Sequence, residues 1–128
     1  MATIRSYTTI EQSKVLAKIL PIESADQTWA RIAIAGANLD VPEEMQYRHN
    51  GDMPFQYYSS IGIPCWSLAA LLGVLPFPQL SKDKLGNGRE GWMVSAYPYN
   101  CRYDSCWHDN PVDACVEMIL KLHELNLL

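Results

Sequence analysis

No stretch of this 128-residue sequence approaches the ~18 consecutive apolar residues that crossing a bilayer requires. The opening MATIRSYTTIEQSK has no apolar signal core behind its first positive charge, so neither a membrane partner nor export is expected, and the location read from it is cytoplasmic. Clustered basic residues are missing as well. Ten Lys and Arg are scattered among fourteen Asp and Glu, for a formal net charge of −4. Nucleic-acid binding depends on grouped cations that release counterions, so no nucleic-acid partner is expected. There is no internal repeat and no low-complexity tract. The chain contains no H-E-x-x-H, no G-x-S-x-G and no Walker-type loop. Its adjacent Glu43 and Glu44 point apart in an extended chain, so a general acid, a base and an oxyanion donor do not come together. No catalytic residue, metal or cofactor is assigned.

What the sequence does have is a globular composition, 48 % hydrophobic and 19 % charged, at a length that fits one domain with one core. Neither a disulfide nor a metal is needed for such a core. The four cysteines, Cys65, Cys101, Cys106 and Cys115, sit inside patterned elements and are expected as thiols.

Three helices are expected. Thr8 and Glu11 offer a capping box before Ile10, Leu16, Ile19 and Leu20, with Pro21 as the stop. In WSLAALLGVLP, Leu68, Leu71, Leu72 and Leu75 fall at i, i+3, i+4 and i+7, and Pro76 ends the run. Asp109 or Asn110 then caps a last helix that has Pro111 in its first turn and Val112, Cys115, Val116, Ile119 and Leu122 on one side. QTWARIAIA, 27–35, alternates as a strand, although its alanines also permit a helix. Residues 36–62 read as an irregular aromatic loop carrying Tyr47, Phe55, Tyr57 and Tyr58, with one short strand available at MPFQYYSS; such a loop would act as a lid or as an intersubunit arm. Residues 77–91 read as a second loop whose GNGREG forms a tight turn rather than a phosphate nest. WMVSAY, 92–97, and CRYDSCWH, 101–108, read as a hairpin turning at Pro98, Tyr99 and Asn100. The expectation is a single α+β domain, three helices on a small antiparallel sheet.

The densest chemistry lies in YPYNCRYDSCWHDNP, 97–111. An extended backbone from 101 to 108 puts Cys101, Tyr103, Ser105 and Trp107 on one face and Arg102, Asp104, Cys106 and His108 on the other. Tyr103 and Trp107 of the first row are expected on the helices, and the second row on solvent, a subunit partner or a pocket. Cys101, Cys106 and His108 lack the paired spacing of a closed zinc site. Cys106, His108 and Asp104 would form a thiol–imidazole–carboxylate set on one strand, whereas a nucleophile and its base usually come from different elements. Binding remains. Arg102, Tyr99, Tyr97 and Trp92 offer stacking faces and a bidentate cation for a flat anionic ligand, a nucleotide-like small molecule, over which Arg48, Tyr57 and Tyr58 would close. The same residue types make interface hot spots, so an aromatic-rich homo-oligomer surface is the other reading and is slightly favoured on residue type, and both hold if the ligand sits between subunits.

IPCWSLAALLGVLP, 63–76, and NPVDACVEMILKLHELNLL, 110–128, with the opening YTTIEQSKVLAKILPIESAD, 7–26, resemble a group of small uncharacterised proteins from gut Bacteroidetes genomes and their phages. The resemblance implies an α+β phage or mobile-element accessory protein acting in a bacterial host cell, and it brings no catalytic residue with it. By analogy with phage proteins that block host defence, it implies non-enzymatic sequestration of a nucleotide signal. A module that docks on a host or phage protein, and a small nucleotide hydrolase using Cys106 and His108 or a carboxylate of the long loop, are the alternatives.

Overall fold

The computed structural model describes residues 5–34, 37–44 and 58–128. In chain order these form α1 (Ile10–Leu16), β1 (Gln27–Ile34), β2 (Ala37–Glu44), β3 (Tyr58–Cys65), α2 (Leu68–Val74), β4 (Gln79–Lys84), β5 (Glu90–Ala96), β6 (Tyr103–Asp104) and α3 (Pro111–Glu124). The expected α+β class and the three helices are present, but the strands make two antiparallel three-stranded sheets, ordered β2-β1-β3 and β4-β5-β6.

The first helix begins one residue later than the sequence suggests. Thr9, not Thr8, caps it: the Thr9 hydroxyl accepts from the Gln12 N–H at 3.1 Å and Gln12 Oε1 accepts from the Thr9 N–H at 3.0 Å. Thr8 is unavailable because it is fully buried, its hydroxyl shared with Ser13 Oγ at 2.7 Å and with the Trp66 N–H at 3.2 Å. Regular helix ends at Leu16, and looser turns carry the chain on to Pro21.

The strand expected at 27–35 is β1, the middle of the first sheet. Its Trp29 is buried, donates its indole N–H to Ser13 Oγ at 3.0 Å, and meets the Tyr7 ring edge-on at 5.8 Å. The irregular loop expected at 36–62 is corrected on both flanks, because β2 and β3 pair antiparallel with the two edges of β1. Pro42 within β2 masked that strand in the sequence; an edge strand tolerates a missing N–H. Tyr47 and Phe55 of that loop lie outside the described residues.

The second loop expected at 77–91 is also corrected. It contains β4, which pairs with β5 along its whole length from Gln79↔Ser95 to Lys84↔Glu90. A tight turn joins them, closed by Gly88 N–H to Leu85 C=O at 2.8 Å and Leu85 N–H to Arg89 C=O at 2.8 Å, with Gly88 at φ 80°. The GNGREG run is therefore hairpin geometry. The strand QLSKDK escaped notice because charged residues dominate its outer half, a common way to blunt a sheet edge. The hairpin expected between 92–97 and 101–108 exists in shortened form, as β6 contributes two paired residues.

Helix α3 packs between β5 and α2. Asn110 caps it by accepting the Val112 N–H at 2.9 Å, and Pro111 stands in its first turn. All five residues expected on its apolar side are buried, and so are Ala114 and Met118, because both β5 and α2 cover the helix. One apolar cluster runs from Leu16 and Leu20 through Trp66, Leu71 and Leu75 to Val94, Val112 and Leu122. Each buried large side chain of this kind is worth about 1.5–3 kcal/mol. Among the described residues, no buried side-chain nitrogen or oxygen lacks a hydrogen-bond partner. Ile119→Ala will lower stability by about 2–5 kcal/mol in urea unfolding, whereas Leu120→Ala, one residue on and 36 % exposed, will change it by less than about 0.5 kcal/mol.

Candidate functional site

Strand β5 sorts the candidate residues onto its two faces. Val94 and Ala96 turn toward α3 and are fully buried, and Trp92 shares their side. Met93, Ser95 and Tyr97 point the other way, where no described helix covers the second sheet. The four hairpin residues proposed as contacts are thus not all brought together. Trp92 stands on the helix side, with the Lys82 ammonium 5.1 Å from its ring centroid. Tyr97 and Arg102 stand on the open side, and Tyr99 projects from the turn between them. Arg48 and Tyr57 lie outside the described residues, and Tyr58 is the first residue of β3.

The alternation expected from 101 to 108 holds in its middle and then breaks. Tyr103 packs on the core, Ser105 is buried, and Arg102 and Asp104 are exposed, as the extended pattern requires. Pairing then slips by one residue between Ser95↔Asp104 and Trp92↔His108. A bulge of this kind swaps the faces of all that follows. Trp107 is therefore 41 % exposed instead of buried, and His108 turns in toward α3, where its Nε2 meets Glu117 Oε1 at 2.8 Å. Glu117 also accepts the Cys106 N–H, at 3.0 Å to Oε2. The bulge reflects local hydrogen bonding: Ser105 Oγ accepts the Val94 N–H at 3.0 Å and itself donates to the Cys106 carbonyl at 2.8 Å.

This geometry separates the residues of the thiol set. Asp104 is engaged by Arg102, not by His108, and no hydrogen bond joins the Cys106 thiol to the His108 ring. All four cysteines are free thiols, as expected. Burial raises the Cys65 pKa and pushes Cys115 up to about 12, which keeps both protonated and unreactive. Among the described residues no group of His, Cys, Asp and Glu has metal-binding geometry.

On the open face the polar groups do converge. Arg102 Nε donates to Asp104 Oδ1 at 2.8 Å, and its Nη2 lies 3.4 Å from Ser95 Oγ. Ser95 Oγ donates to the same Asp104 oxygen at 2.7 Å. Lys121 reaches from α3 to the Asp104 carbonyl at 3.1 Å, and the Tyr97 hydroxyl donates to Gln79 Oε1 at 3.4 Å. The Arg102 hydrogen bond, helped by Ser95, holds the Asp104 carboxyl below its usual range, and the same bond raises the already high Arg102 pKa, with a smaller contribution from Tyr97. Ser95, Lys121 and Gln79 were not singled out in the sequence, and Asp104 was considered there as a partner of Cys106 and His108. The β4–β5–β6 register brings Ser95 and Gln79 to the Arg102–Asp104 pair, and α3 supplies Lys121.

Two aromatic residues beside this face have unusual backbones. Phe77 has φ 48° and is 79 % exposed; Tyr99 has φ 52° and is 84 % exposed. Their turns are tied by the Tyr97 N–H donating to the Pro76 carbonyl at 2.9 Å. A left-handed conformation costs a bulky residue about 1–3 kcal/mol, and here no burial of the ring offsets it.

Comparison with protein-family models, curated proteins and solved structures gives no match to this chain.

Burial pushes the Glu117 carboxyl upward, but its hydrogen bonds from His108 and the Cys106 N–H outweigh this and hold it below the ordinary value of 4.5. The stabilisation is complete above that ordinary value and is lost as pH falls through it and through the lowered folded value. In urea melts at stepped pH, wild type will therefore exceed Glu117→Gln in stability at neutral pH, and the gap will close as the solution is acidified below pH 4.5.

Proposed function

We propose that this chain is a non-enzymatic binding protein that holds a nucleotide-type small molecule on the open face of its second sheet, at Tyr97, Tyr99 and Arg102. The observation that carries the reading is an exposed guanidinium beside Tyr97, followed by an exposed Tyr99 ring, on a sheet face that no described helix covers. A flat base stacks on phenol rings, and a phosphate takes the guanidinium. The Cys106–His108–Asp104 arrangement is not assembled, which favours holding a ligand over cleaving it. The resemblance to phage accessory proteins suggests the purpose, sequestration of a nucleotide signal used in anti-phage defence within a bacterial cell. Copies of the chain would pair around the ligand if Arg48 and Tyr57 complete the site from a neighbouring subunit.

Titration calorimetry with cyclic and ADP-ribose-type nucleotides will give saturable heat, and chromatography of the mixture will return the nucleotide intact. Arg102→Gln will weaken binding at least about tenfold, as loss of a charge-assisted contact does. Trp92→Phe will leave it unchanged, because that ring lies on the other side of the sheet. Absence of heat with the whole panel eliminates the nucleotide reading.

A protein-docking role is the second reading, and Phe77 with Tyr99 favours it. Two exposed aromatic rings on unfavourable backbones resemble anchor residues that gain their compensation from a partner. In that case Phe77→Ala and Tyr99→Ala will each abolish capture of a host or phage protein in a pull-down without lowering the melting temperature.

A further inference from the structure

We propose that Asp104 is an internal stand-in for the ligand's phosphate, occupying Arg102 until an anion of higher charge displaces it; this rests on the nucleotide reading above. One carboxylate oxygen of Asp104 gathers two donors, Arg102 Nε at 2.8 Å and Ser95 Oγ at 2.7 Å. A third donor, Lys121 Nζ, sits 3.1 Å from the carbonyl of the same residue. A guanidinium and a hydroxyl thus converge on one position at the sheet surface, which a side-chain carboxylate fills, while the ammonium is held by the backbone carbonyl of the same residue.

The arrangement is easily displaced. Side-chain exposures of 55 % for Arg102 and 44 % for Asp104 leave the pair in water, where such an ion pair shifts an equilibrium by no more than about fivefold. A phosphate monoester brings two charges and three acceptor oxygens. It can take the guanidinium bidentately and still accept from Ser95. Asp104 rotates outward on its own side-chain bonds, and no strand has to move. Once displaced, its charge still repels the incoming anion, so a singly charged carboxylate gains too little to enter. The class of ligand selected is a nucleotide whose phosphates carry two negative charges, on a terminal monoester, on the pyrophosphate of an ADP-ribose or across a cyclic dinucleotide. Asp104 is a positioning residue here, setting the affinity threshold.

The test is titration calorimetry of AMP, adenosine and inorganic phosphate against wild type, Asp104→Asn and Asp104→Ser, with circular dichroism melts to confirm folding. Removing the carboxylate will tighten AMP about fivefold in both variants, and phosphate in parallel. Adenosine, which lacks the phosphate, will respond equally to all three proteins. If wild type binds AMP and both variants bind it no more tightly, Asp104 is no stand-in, while the nucleotide reading stands. Absence of AMP binding by wild type and both variants, together with no heat from the cyclic and ADP-ribose-type nucleotides, removes that reading and this inference with it.

Discussion

The structure turns on the indole of Trp66. It is fully buried where β3 passes into α2, and its N–H donates to Ser24 Oγ at 2.9 Å. The backbone around it is laced to the N-terminal strip: the Thr8 N–H donates to the Trp66 carbonyl at 2.9 Å and the Leu68 N–H to the Ser6 carbonyl at 2.8 Å. Asp26 accepts from both the Ser67 N–H and the Ser67 hydroxyl. Three segments far apart in sequence, 6–8, 24–26 and 66–68, therefore meet around this residue, and the first sheet is joined there to the helical layer beneath the second. The N-terminal strip is fixed at a second point as well. Arg5 and Gln12 both donate to Asp113 Oδ1, at 2.6 and 2.7 Å, so α1 is also attached to the start of α3. The apolar cluster that contains Val94, Ala96, Val112 and Ile119 then holds α3 against β5.

How much of this was readable in advance depended on whether an element announced itself by burial. Helices α2 and α3 did so through leucine, valine and isoleucine at helical spacing, and β1 did so by alternation. The strands that went unread each lacked one of those signals. Pro42 in β2 reads as a breaker until edge position is known, and Lys82, Asp83 and Lys84 in β4 read as loop for the same reason. The candidate site was half legible. Arg102, Tyr97 and Tyr99 could be picked by residue type, but the side each takes is set by pairing register. Trp92 was misassigned because its face is decided by β5, and His108 because a single inserted residue at Cys106–Trp107 reversed the phase. Glu117 shows the same limit from the other direction. In sequence it is a helix carboxylate with an ordinary macrodipole role, and only the bulge brings His108 and the Cys106 N–H to it.

Both sides of the second sheet carry an ion pair or charged contact near a ring, yet the two differ in kind. On the helix side, Glu117 and His108 are each about a third exposed and are pinned by a backbone N–H as well, so that cluster belongs to the scaffold. On the open side, Arg102 and Asp104 are mostly in water and are attached to the fold chiefly through Ser95. Interactions of the first kind resist exchange with solutes, whereas the second kind exchanges readily. The difference in solvation, more than residue identity, separates the part of 97–111 that supports the fold from the part available for recognition.

The two margins of the second sheet bear on how the protein behaves when crowded. One margin, β4, ends in alternating lysine and aspartate, and the other, β6, offers only two residues of backbone. Neither presents the long, flat, apolar row of unpaired amides that templates cross-β growth. Concentrated solutions are thus protected from stacking through the margins of this sheet, and the face that carries Met93, Tyr97 and Arg102 can keep these residues without inviting fibrils.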